Sequence, residues 1–141
     1  MSFVNPTREE IKVILENTKT IAVVGLSENP ERTSHMVARA LQEKGYRIIP
    51  VNPNAAEILG EKCYPQLTDV PEPVDVVDVF RRSEHVWPVA EQAVEIGAKV
   101  LWLQSGIINE EAAQLALDHG LMVVMDRCIK VEDAILMPKK G

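Results

Sequence analysis

The chain has 141 residues, is 46% hydrophobic but only 4% aromatic, and carries a formal net charge of −6 from 15 basic and 21 acidic side chains. That length suits one domain, residues 1–141, around a single core of Val, Ile, Leu and Ala, and the acidity argues against nucleic-acid or membrane-surface partners, which need a basic face. No apolar run reaches the roughly 18 residues of a membrane span, MSFVNPTREE lacks the basic and apolar regions of a secretory signal, and Cys63 and Cys128 make neither a disulfide framework nor a zinc spacing. A cytoplasmic protein with reduced thiols is expected.

Thr7-Arg-Glu-Glu10 reads as a capping box ahead of Ile11, Ile14 and Leu15, which predicts a first helix. Five short apolar runs follow: Thr20–Gly25, Tyr46–Val51, Val74–Phe80, Lys99–Gln104 and Leu121–Asp126. Their starts lie 26, 28, 25 and 22 residues apart, which leaves room for one helix between neighbours. That rhythm, with Val- and Ile-rich runs apolar on both faces, predicts a parallel sheet. Met36, Val37, Ala40 and Leu41 form one helical face ending at Gly45. Val86, Val89, Ala90, Ala93 and Val94 form another, ending at Gly97, with Pro88 near its start. Asn109 caps EEAAQLALDH, closed by Gly120. The connection Asn52–Pro73 is long and proline-rich, with a short helix predicted near Gln66–Val70. The expected architecture is a three-layer α/β Rossmann-like domain, a parallel five-stranded sheet with helices on both faces and strand order 3-2-1-4-5.

Ligands of such sheets bind beyond the carboxyl ends of the strands. The first exit, Gly25-Leu-Ser-Glu-Asn-Pro-Glu-Arg-Thr-Ser34, has a single glycine where a dinucleotide site has three. Thr33 or Ser34 is expected to cap the next helix, whose free N–H groups attract anions, and Arg32 adds a forked cation for phosphate; the plainer alternative is a simple cap beside a solvated charge. Strand two ends Pro50-Val-Asn-Pro53 without the acid that binds a nicotinamide dinucleotide's ribose. Its prolines give either a wall beside a base or merely a strand stop. Phe80-Arg-Arg-Ser83 offers an aromatic for a purine and cations for a phosphate, or a core residue and a solvated turn. Gln104-Ser-Gly106 supplies small polar groups, and Asp126-Arg-Cys128 an Asp–Arg pair beside a thiol. Asp75 and Asp78, three apart on a strand, face opposite sides and cannot act as one acid/base pair. His35, His85 and His119 fall on predicted helix termini or surfaces without metal spacing, and no hydrolase or Walker pattern is present.

Together GLSENPERTSHMVARALQEKGYRIIPVNP, EPVDVVDVFRRSE, VLWLQSGI and DRC resemble the small stand-alone CoA-binding proteins, whose fold is similar to the CoA-binding domain of the succinyl-CoA synthetase α subunit. The resemblance runs from about Thr18 to Val131 and implies a domain holding coenzyme A, or an acyl-CoA, extended over the strand ends. It implies that Gly25, Leu26, Ser27, Arg32, Thr33 and Ser34 meet the phosphates and that Asn52 and Pro53 flank the adenosine. The synthetase has a lysine in that second loop; this chain has none. Phe80 and Arg81 would lie against the nucleotide, and Gln104 and Ser105 beside the pantetheine arm. The expected function is non-catalytic CoA binding, with the small molecule as partner and either a homodimer or another protein as assembly. The alternatives are a component of an acyl-CoA ligase needing other chains, a variant NAD(P) domain, and a redox protein in which Cys128 joins the CoA thiol.

Overall fold

The structure, a computed structural model, describes residues 3–138. Thr7 and Glu10 cap each other's main chain reciprocally, and helix α1 (Arg8–Glu16) buries Ile11, Ile14 and Leu15 along one face. The predicted runs become strands β1 (Thr20–Val24), β2 (Arg47–Val51), β5 (Val76–Val79), β6 (Val100–Leu103) and β7 (Met122–Val124). Helices α2 (Thr33–Glu43), α3 (Val86–Glu95) and α4 (Glu110–Asp118) alternate with them as the spacing requires.

The sheet is parallel throughout, in the order β2-β1-β5-β6-β7. Outside β2, Tyr64 bridges Val51 in parallel, donating its N–H to Pro50 and accepting that of Asn52. Counted as a rudimentary third strand, this segment makes the order 3-2-1-4-5-6, whose first five places are the 3-2-1-4-5 pattern. The Val74–Phe80 run therefore takes the fourth place, against β1. The Asn52–Pro73 connection leaves the rudimentary strand at the edge and carries the chain back past β1.

Alternate residues of each strand point to opposite layers, as the period of two demands. Ala22, Val24, Val77, Val79, Leu101 and Leu103 pack in the cluster that includes Val86, Ala90 and Ala93 of α3 and Ala112, Ala113 and Ala116 of α4. Ile21, Val23, Val76, Val100 and Trp102 pack in the other, with Ile11 and Leu15 of α1, Val37 and Leu41 of α2, and Ile129. Both faces of the sheet are thus covered, and strands apolar on both sides follow from that.

Two features are absent from the sequence reading. A hairpin, β3 (Glu57–Ile58) with β4 (Glu61–Lys62), occupies the long connection, and the predicted helix near Gln66–Val70 is a 3₁₀ turn at Leu67–Asp69. A fifth helix, α5 (Ile129–Leu136), follows the last strand and buries Ile129, Glu132 and Asp133. Arg8 pairs with Glu132 at 3.2 Å, while Asp133 accepts from the Tyr46 hydroxyl at 2.6 Å and pairs with Lys44 at 2.5 Å. Burial, reinforced by Asp133, pushes the Tyr46 phenol far above its ordinary range. The pairing makes buried carboxylates tolerable there.

Candidate functional site

Five loops leave the carboxyl ends of the strands, and hydrogen bonds tie them into one rim. Gly25 has φ +88°, and a Cβ on it would stand 2.2 Å from the Phe80 carbonyl oxygen. The glycine is therefore required by the chain's own β5 exit, which crosses against the β1 exit. Asn52 donates its side-chain N–H to the Leu26 carbonyl and accepts the N–H of Asn54. Ser83 accepts the Ile108 N–H on its hydroxyl and the Asn109 amide on its carbonyl. Asp126, itself at φ +60°, accepts the Gly106 N–H at 2.7 Å.

The start of α2 differs from the expectation. Arg32, not Thr33 or Ser34, occupies the N-cap position, and no side chain caps the first turn. The Ser34 hydroxyl is turned back to accept the Ser27 N–H at 3.0 Å. His35 is buried rather than superficial, and its Nδ1 lies 2.8 Å from the Ser27 carbonyl. A carbonyl can only accept, so Nδ1 carries the proton. Ser34 and His35 together clamp Ser27 from the helix below. The helix end therefore keeps open N–H groups and a positive dipole end, with exposed Arg32 and Thr33 beside it.

A cleft of about 330 Å³ opens at this point, lined by Gly25, Ser27, Arg32, Thr33, Ser34 and Phe80. A second, of about 400 Å³, lies over the ends of β1 and β2, where Arg81, His85 and Gln66 join Val24, Val51 and Pro65. Its wall is set by Gln92 of α3, whose side-chain oxygen accepts the Leu67 N–H. Sequence reasoning missed Gln66 and His85; the only trace was their position flanking the strand exits. An apolar pocket of about 290 Å³, lined by Val13, Ile14, Val100 and Met122, sits at the opposite, amino end of the sheet. There Asp75 accepts the Lys19 and Thr20 N–H groups and lies 3.5 Å from Lys99. Burial pushes that carboxyl up, but the two N–H bonds and Lys99 outweigh it and hold it below the usual range, a structural role.

The predicted residues therefore divide. Gly25, Ser27, Arg32, Thr33, Ser34 and Phe80 converge on one cleft, and Arg81 faces the neighbouring one. Leu26 is wholly buried and contributes only main chain, Asn52 is engaged in bracing the loops, and Pro53 and Ser105 are exposed. Gln104 is buried and donates its amide to Asp78. Asp126 bonds Gly106, and the Arg127 guanidinium donates to the Asp126 carbonyl instead of its carboxylate. Cys128 is half-buried at the N-cap of α5, and Cys63 is buried, with its thiol pushed up by that burial.

The first cleft gathers hydrogen-bond donors and one cation: open helix N–H groups, Thr33 and the Arg32 guanidinium. Among the described residues, no cluster of His, Cys, Asp and Glu could hold a metal ion, and no helix is long and apolar enough to cross a membrane. The class the structure defines is an α/β Rossmann-like fold with two clefts at the carboxyl ends of its strands.

The chain belongs to the CoA binding domain family, which it matches over residues 19–134. It is 53% identical over 131 residues to the uncharacterized protein YneT of Bacillus subtilis, covering 93% of this chain and 97% of that one. The solved structure of a hypothetical protein from Pyrococcus horikoshii is 41% identical, with a TM-score of 0.91 over 97% of this chain and 99% of the other. The dinucleotide-forming acetyl-coenzyme A synthetase 1 of Ca. Korarchaeum cryptofilum, solved with phosphate and ADP, is 32% identical with a TM-score of 0.72. That match covers 79% of this chain but only 26% of the synthetase.

Proposed function

We propose that this protein is a non-catalytic coenzyme A-binding protein, one domain that acts in the cytoplasm. The observation that carries the reading is the uncapped start of α2, with Arg32 over a cleft at the ends of β1 and β5. The pyrophosphate sits in that cleft, held by the Thr33 and Ser34 N–H groups and Arg32. The adenosine end lies across Phe80 into the second cleft, with Arg81 and His85 as partners for the 3′-phosphate and Asn52 and Pro53 at its edge. The pantetheine arm runs toward Gln104 and Ser105. Coenzyme A would supply a thiol; the protein supplies orientation and charge.

The likeness to the synthetase domain supports a second reading, in which the chain serves an acyl-CoA ligase completed by other chains. An NAD(P) ligand is disfavoured by the absence of an acid after β2. Coenzyme A at about 100 times its Kd is expected to stabilise the fold by roughly 2.7 kcal/mol, read as a thermal shift. Dephospho-CoA, NAD and ATP should give smaller shifts at equal concentration. Arg32→Ala should weaken CoA about tenfold, the loss of one charge-assisted contact, with an unchanged melting temperature in the absence of ligand. A clear NAD shift without a CoA shift would overturn the reading.

A further inference from the structure

Among the described residues, Asp78 is the one ionisable side chain in the central strands of the sheet, between Val23 of β1 and Trp102 of β6 in register, and it is fully buried. One carboxyl oxygen accepts the Gln104 amide; the other has no hydrogen-bond partner among the described residues. A buried, half-satisfied carboxylate is costly, and such groups call for an explanation. The buried ionisable groups on the helices covering this face are otherwise engaged: His35 of α2 with Ser27, and Glu132 and Asp133 of α5 with Arg8, Lys44 and Tyr46. None of them contributes to the displacement of Asp78, which burial pushes up to about 7 against the opposing bond from Gln104.

Gln104 links this acid to the rim. It is the first residue after β6, and its carbonyl accepts the Ile107 N–H to close the Gln104–Ile107 turn. Gly106 within the turn adopts φ +82° and is held from the other side by Asp126. A neutral carboxyl accepts the Gln104 amide on one oxygen and brings no net charge to hydrate, so the closed turn costs little while Asp78 is protonated. Ionisation strengthens the single Gln104 bond, but it leaves beneath the turn a buried charge whose other oxygen only water admitted past Gln104 could satisfy, and that desolvation is the larger effect.

We propose that Asp78 is a positioning residue whose protonated carboxyl latches Gln104 and holds the Gln104–Gly106 turn in its ligand-binding shape, so that affinity for the ligand arm crossing the turn falls when the carboxyl ionises. The inference rests on the CoA reading for the identity of that arm. The latch has its own ligand-free test. In the free protein, the ¹⁵N–¹H signals of the Gln104 side chain and the Gly106 main chain should move together with pH around a midpoint of about 7, and should stay still in Asp78→Asn. Calorimetric titration with CoA at about pH 6 and about pH 8.5 should show about tenfold weaker binding at the higher pH in the wild type. Adenosine 3′,5′-bisphosphate, which lacks the arm, reports the pH change that arises at the phosphates and the groups holding them, and should show none of that loss. Asp78→Asn should lack the tenfold loss and keep only the pH change that arises at the nucleotide end of CoA. Equal pH dependence for the two probes, or for wild type and variant, overturns the latch; static amide signals in the wild type do so without any ligand. Failure of both probes to bind at either pH sinks the CoA reading and the ligand half of this inference, while moving amide signals would still report the latch itself.

Discussion

Gly25→Ala is expected to destabilise the fold by about 3–5 kcal/mol, through left-handed strain added to a main-chain collision. The new Cβ would stand 2.2 Å from the Phe80 carbonyl oxygen, and neither strand can withdraw cheaply. Phe80 donates its N–H to Val24 at 2.8 Å, and Gly25 donates to Val51 at 3.0 Å, so both sides of the contact are fixed by the sheet. Gly106 gives the control. Its φ of +82° is as unfavourable for an L-residue, but a Cβ there meets nothing within 4 Å. Gly106→Ala should therefore cost only about 1–2 kcal/mol. Urea midpoints at unchanged slope measure both. Equal losses for the two variants would show that the crossing of the β1 and β5 exits is not tight.

The second large effect is a pH dependence of stability centred on Asp78. An aspartate in the unfolded chain titrates near about 3.9, whereas burial pushes Asp78 in the fold up to about 7. Between these values the native state binds the extra proton, so stability falls as pH rises through the window. The full contribution is present below the unfolded value and is lost once pH exceeds the folded one. The displacement corresponds to a penalty on the order of 4 kcal/mol at pH 8. Asp78→Asn cannot ionise and keeps an acceptor for Gln104, so its stability curve should lack this fall and lie above the wild type at pH 8 by a few kcal/mol. Chemical denaturation at several pH values tests it; parallel curves for the two proteins would show that Asp78 does not titrate in the fold.

The pattern of the chain was enough to determine the repeating strands and helices, because strands covered on both faces must be apolar at every position. It also determined the ends of α1 and α4, where Thr7, Glu10 and Asn109 make the bonds their side chains suggest. Helix α5 was hidden because its buried face carries Glu132 and Asp133, acids whose partners Arg8, Lys44 and Tyr46 arrive from more than 80 residues away in sequence. The hairpin β3–β4 was hidden because two-residue strands leave no period to read.

The site divides along the same line. That Gly25, Arg32 and Phe80 lie at one rim could be read from strand exits alone, since a parallel sheet fixes where its loops gather. What each one does was decided by the third dimension. Ser34 resembles a helix cap but braces Ser27, Gln104 is locked beneath the rim by Asp78, and His35 is buried as a clamp. Local sequence records which groups a residue can offer, but only packing between distant strands decides which of those groups are already spent and which stay open to a ligand.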